Sequence, residues 1–225
     1  MGPNTPQDAD GIAEQITAAI MEHRLPPGIK LAEEKLAVAF GVGRNKIRQA
    51  LMALAKQGLV KLHPNRGAFV TSPGVQEARD LFATRRLLEP EIIRNVINRS
   101  TKAQRKPLHA HLKKEALARK NNDRRAVIKL SGDFHILLAE IGANSFISRI
   151  MRQLCPFTSL IHALYDGPQT LACPEDEHGA IVQAIEDRDE ARAIALMLHH
   201  LEHVENALNL SLDQQPAIQW ETVFN

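Results

Sequence analysis

The three residues Gly41-Val42-Gly43 constrain this chain more than any others. Leu36, Ala39 and Phe40 follow helical spacing before them, and Ile47, Leu51 and Leu54 follow it after them. Two helices joined so tightly are held at a fixed crossing, because three residues leave no slack for alternatives. Upstream, Ile12, Ile16, Ala19 and Ile20 mark a first helix that Leu25-Pro26-Pro27-Gly28 stops. Glu33 and Glu34 fall in the first turn of the second helix, where the dipole favours them. Gly58 closes the third. Leu59-Val60-Lys61-Leu62 and Ala68-Phe69-Val70 then flank His63-Pro64-Asn65-Arg66-Gly67, which reads as a β-hairpin. Thr71-Ser72-Pro73-Gly74 reads as a linker.

Charge separates this region from the rest. Residues 1–75 carry 9 Lys/Arg and 6 Asp/Glu, and no acidic residue lies between Lys35 and Gln76. A positive patch beside a neutral remainder suits a unit facing a polyanion. On a helical wheel the apolar Ile47, Leu51 and Leu54 oppose Arg44, Asn45, Arg48 and Gln49. Three helices, a tight turn and a hairpin are the parts of a winged helix-turn-helix, whose third helix enters the major groove. Arg pairs with guanine and Asn or Gln with adenine, so the first turn would read bases. Lys46, Lys61 and Arg66 suit phosphates, which add affinity without sequence information. A solvated basic face would need none of this order.

From Val75 onward the periodicity is helical throughout, with helices expected at 76–99, 103–120, 123–142, 145–165, 171–186 and 188–210. Asp187 and Glu190 are placed as a capping box for the last. The expected fold is mainly α: an N-terminal winged helix-turn-helix with a small β-hairpin wing, followed by an all-α helical bundle. Its expected divisions are a tail over 1–10, the DNA-binding unit over 11–72, a linker over 73–76, an all-helical unit over 77–212 to which the family resemblance given below assigns effector binding and dimerisation, and a tail over 213–225.

No apolar run approaches the length of a membrane span. Met1–Asp10 lacks the pattern of a secretory signal. With only two cysteines, Cys155 and Cys173, the expected location is cytoplasmic.

Leu31-Ala-Glu-Glu-Lys-Leu-Ala37, Gly41-Val-Gly-Arg-Asn-Lys-Ile-Arg-Gln-Ala-Leu51, Gly58-Leu-Val60 and Arg66-Gly-Ala-Phe-Val70 resemble the GntR-type bacterial transcription regulators. The resemblance runs from about Ala13 to Val70. It departs at Gly43, where the family has Ser or Thr, and at Asn45-Lys46, where it often has Thr-Pro. It implies DNA contacts at Lys35, Arg44, Asn45, Lys46, Arg48, Arg66 and Gly67, the last through its backbone at the wing tip.

Asp80-Leu-Phe-Ala-Thr-Arg-Arg-Leu-Leu-Glu-Pro90, Gly132-Asp-Phe-His-Ile-Leu-Leu-Ala-Glu140 with Asn144, Glu177-His178 and His200-Leu201 resemble the all-helical effector domain of the FadR-type branch. The resemblance implies a divalent metal, Zn or Ni, on His135, His178 and His200. It places Ser131 where the family has an aspartate ligand, which would weaken the metal and leave a position for water or an effector carboxylate. Arg85 matches the basic residue facing the effector cavity; as an alternative it forms a surface ion pair with Glu89 at i+4. The implied partners are an inverted-repeat operator in double-stranded DNA, a small carboxylate effector and a second copy of the chain. Two rival readings stay open: a metal-dependent hydrolase using the three histidines, although no HExxH-like base accompanies them, and a helical adaptor that binds no small molecule.

Overall fold

The computed structural model describes residues 8–166 and 177–211. The expected tails from residue 213 and over most of 1–10, and the start of the helix expected at 171, lie outside them. Nine helices and three strands follow one another in the described residues.

Helix α1 (Ala9–Met21) takes in the last two residues of the expected tail, because the Asp8 carboxylate accepts from the Gly11 N–H at 2.8 Å and caps it. Helices α2 (Glu33–Phe40) and α3 (Arg44–Lys56) are joined through Gly41, whose φ of 64° is left-handed. Ile12, Ile16, Ile20, Ile47, Leu51 and Leu54 meet in one core. The wing is a three-stranded antiparallel sheet where sequence indicated two strands. β2 (Val60–His63) and β3 (Gly67–Val70) form the hairpin, and β1 (Lys30–Leu31) adds to the free edge of β3 with Lys30 opposite Phe69. A two-residue strand carries no periodicity of its own; only the exposed edge of β3 defines it.

The helical unit comprises α4 (Val75–Arg99), α5 (Lys102–Lys120), α6 (Arg124–Ile141), α7 (Ser145–Tyr165), α8 (Glu177–Glu186) and α9 (Glu190–Asn206). Three of its links share one device: a left-handed residue followed by a side-chain N-cap, at Asn122-Asp123, Ala143-Asn144 and Arg188-Asp189. The last corrects the expected cap at Asp187. The Asp187 N–H still bonds back to Gln183, Arg188 is left-handed, and Asp189 caps Arg192 instead. Phe134, Leu138, Ile93, Val96, Ile181, Ile185, Met197 and Leu201 build the bundle core.

The two units share a seam. Leu160 and Phe157 of α7 complete the N-terminal core. His23 Nε2–H donates to the Ser159 carbonyl at 2.8 Å, and Ser159 Oγ–H to the Met21 carbonyl at 3.4 Å. Met21 packs on Gly132 of α6 so closely that an added Cβ would lie 2.8 Å from its Cε.

A candidate metal and effector centre, and a basic recognition face

His135 comes from α6, His178 from α8 and His200 from α9, and all three are buried. The structure brings them together: His200 Nε2 lies 3.3 Å from His135 Nε2 and 3.4 Å from His178 Nε2. Tetrahedral zinc with Zn–N of about 2.0–2.1 Å has ligand–ligand edges of about 3.3–3.4 Å, so these separations fit one ion.

Each ring is turned by a carboxylate. Glu89 accepts from His135 Nδ1 at 2.6 Å, Glu115 from His178 Nδ1 at 2.9 Å, and Glu177 from His200 Nδ1 at 2.7 Å. An ionised carboxylate only accepts, so the proton sits on each Nδ1 and each Nε2 is the inward donor atom. The sequence reading did not include these glutamates in the site. Their signal is weak, since they come from α4, α5 and α8, far from the ligands they orient, or in the case of Glu177 from the α8 turn beside His178.

Arg85 is not on the surface. It and Glu89 are 2% and 1% exposed, with Arg85 Nε donating to Glu89 at 2.7 Å. The i,i+4 pair forms as spacing allows, but α7 and α9 cover that face, which overturns the surface-pair alternative. Burial would raise the Glu89 pKa, yet the Arg85 guanidinium and His135 hold it at about 2. Burial drives the His135 pKa down to about 3 despite Glu89, so this imidazole is neutral at neutral pH, as a ligand must be. Glu115 is held at about 2 by hydrogen bonds from His111 and His178 that outweigh its burial.

A small cavity of about 20 Å³ adjoins His135 and His200 and is lined by Arg85, Ser131, Gly132, Cys155, Thr158 and Ser159 among others. It is the size of one water. Burial raises the Cys155 thiol to about 12, so it remains protonated. Asp133 is turned away and pairs with Lys129, as its two-residue offset from His135 requires.

These pKa shifts set an acid limit. The unfolded chain takes up a proton at His135 below pH 6.5 that the folded site refuses, then at Glu89 and Glu115 below 4.5. Stability is therefore expected to be full above pH 6.5 and to fall progressively towards pH 2–3. Thermal melts in chelator at pH 7.5, 6 and 5 check this; a flat midpoint over that range contradicts it.

On the other unit, Lys35, Arg44, Asn45, Arg48, Lys61, Arg66 and Gly67 are exposed, and Lys46 is half-buried. Arg44, Asn45 and Lys46 occupy the first turn of α3. In the free protein Arg44 pairs with Glu34 and Arg48 with Glu33, each at 2.7 Å. Exposed pairs such as these are worth about 0–1 kcal/mol, so DNA can replace them at little cost. On the wing, Lys30 and Arg66 flank Phe69 at 6.0 and 5.8 Å from its ring, and Gly67 has a φ of 96°.

Comparison with known proteins agrees with both units. The model of bacterial regulatory proteins of the gntR family matches residues 8–70, and that of the FCD domain matches residues 80–203. The chain is similar to the HTH-type transcriptional repressor RspR of Escherichia coli K12, 24% identical with 82% of this chain and 81% of that one covered. It is also similar to the HTH-type transcriptional regulator LutR of Bacillus subtilis 168, 26% identical with 84% and 96% covered. The fold matches E. coli McbR/YncC with a TM-score of 0.78 at 16% identity, over 88% of this chain and 95% of that one. The relatives are transcription regulators rather than enzymes, and nothing in them supports the hydrolase reading. No described helix is long and apolar enough to cross a membrane. The chain belongs to the GntR family of bacterial transcription regulators, in the branch that carries a C-terminal FCD domain.

Proposed function

We propose that this regulator works as a homodimer whose N-terminal units, over residues 11–72, read an inverted-repeat operator and whose helical units sense a small carboxylate beside a metal; the linker expected at 73–76 ends at Gly74, which caps α4, so the helical unit begins at Val75 and not at 77. GntR regulators bind DNA and FCD domains bind small-molecule effectors, often with a metal. His135, His178 and His200 would hold zinc or nickel, which supplies a Lewis-acid anchor for an anionic oxygen. Arg85 and Ser131 line the cavity beside it and would receive the effector carboxylate, with charge-assisted hydrogen bonds favouring an anion there.

One observation carries the regulatory half of this reading. The cavity wall and the seam between the units are the same residues. Gly132 contacts Met21, and Ser159 hydrogen-bonds both Met21 and His23, at the end of α1. Effector sites occupy about 300–1,000 Å³, far more than the present cavity of about 20 Å³. An effector that enlarges it by displacing α6 or α7 would move the end of α1 with them. It then binds one arrangement of the two units better than the other, which is what coupling requires.

Recovery of bound fragments from sheared genomic DNA, followed by sequencing, tests the reading directly. The expected product is a short inverted repeat, because a two-fold dimer presents two copies of α3. Light scattering is expected to show a dimer without DNA; a strict monomer at micromolar concentration contradicts the proposal. On the recovered operator, Arg44→Ala or Arg48→Ala is expected to cost about 1–3 kcal/mol if the side chain meets a base. Lys61→Ala should instead weaken all sequences alike and reduce the salt slope. Normal operator binding by Arg44→Ala would remove α3 from the reading role.

A further inference from the structure

A second cluster of ligand-bearing side chains lies outside the buried trio. His199 and His203 stand four residues apart on α9, so they share a face of that helix, and both are exposed. Their rings are neighbours, with centroids 6.2 Å apart. Glu177, in the first turn of α8, faces them, and its Oε1 accepts from His203 Nδ1 at 2.9 Å. One ligand atom from each of the three residues lies within 4.8 Å of the others.

We propose that His199, His203 and Glu177 form a second, solvent-facing site for a late first-row divalent ion such as zinc, nickel or copper. Two imidazoles and one carboxylate suit those ions and not magnesium or calcium, which prefer all-oxygen shells. Three features set this cluster apart from an incidental surface group. The two imidazoles are presented by one rigid helix at the spacing that lets both reach one ion. The carboxylate is anchored: its Oε2 accepts from His200 Nδ1 at 2.7 Å, which fixes the direction of Oε1. The two rings are exposed and can close the remaining gap to the edges of about 3.3–3.4 Å that a tetrahedral ion needs. On binding, the ion replaces the Nδ1 proton of His203 as the partner of Glu177 Oε1, and that proton moves to Nε2 at the solvent side. The same carboxylate then serves two centres, one oxygen on the surface ion and the other orienting the buried His200.

The site needs no ion in the buried trio, although Glu177 is common to both, and the test keeps the two apart. Equilibrium dialysis against Zn²⁺, and separately Ni²⁺, is run on the full chain, on the His199→Ala/His203→Ala double variant, and on both in a His178→Ala background. The expected result is one ion more per chain in the wild type than in the double variant, whether the totals are two and one or one and zero. The His178→Ala chain should keep that extra ion and lose it when the double change is added. In the His178→Ala background, copper bound at this site should show coordination by nitrogen in its electron spin resonance, and the signal should vanish when the double change is added. A thousandfold excess of Mg²⁺ should not displace the ion. Both surface positions are solvent-exposed, so the double variant should fold, and the wild-type comparison stands even if His178→Ala does not. Equal uptake by the wild type and the double variant overturns the proposal.

Discussion

Glu89→Ala is expected to destabilise the protein by about 3–5 kcal/mol, the usual effect of removing one partner from a buried ion pair. That is a large part of the stability of any domain. The Glu89 carboxylate spends both oxygens inside the bundle, one on Arg85 Nε at 2.7 Å and the other on His135 Nδ1 at 2.6 Å. Removing it strips the carboxylate from a guanidinium that is 2% exposed and takes the acceptor from a buried imidazole. Glu89→Gln keeps the shape and loses the charge, so it should fall between alanine and wild type. Urea unfolding in the presence of chelator measures both. A change below about 1 kcal/mol for alanine, the range of exposed pairs, would show that the site opens to water.

The second large effect concerns metal affinity. His178→Ala is expected to abolish binding at the buried centre, because it removes one of three Nε2 donors that lie on the edges of a single tetrahedron. Glu115→Ala leaves all three donors but frees the His178 ring, which Glu115 holds at 2.9 Å. Loss of such an orienting partner costs about 10–100-fold in metal affinity. Ser131→Asp should act in the opposite direction by adding a carboxylate beside His135 at the i,i+4 spacing. Calorimetry with Zn²⁺ or Ni²⁺, in the His199→Ala/His203→Ala background so that only the buried centre is read, ranks the three. DNA binding by the ligand-free protein should survive His178→Ala. Unaltered zinc affinity in His178→Ala would exclude the three-histidine centre.

Much of this molecule was legible in the chain. The Gly41-Val42-Gly43 link, the apolar stripe of α3 and the turn at Asn65 and Gly67 are local signals, and they yielded the winged helix-turn-helix and the exposed face carrying Arg44, Asn45 and Arg48. The helical period after Val75 placed six helices with most ends within two residues, because caps and periodicity are written in neighbouring residues. The misplaced cap at Asp187 shows where that ends: Asp187 and Asp189 offer the same side chain, and the left-handed Arg188 between them chose the second.

The site divided along the same line. His178 could be assigned to an inward face from Ile181, Val182 and Ile185 alone. That three histidines on α6, α8 and α9 would bring their Nε2 atoms together was implied only by resemblance, and the three carboxylates that turn them were not implied at all. Arg85 and Glu89 form their ion pair by helical spacing whatever surrounds them. Whether that pair is a solvated pair or a buried anchor depends on α7 and α9 lying across it, and no local pattern records which helices cover a face. The sequence by itself determined the elements, their faces and the chemistry available on each, since these follow from neighbours along the chain. Only the tertiary structure decided which faces meet, and so which charges are desolvated, which ring nitrogens point inward, and that the cavity wall is also the seam to the DNA-binding unit, since these depend on contacts between residues tens of positions apart.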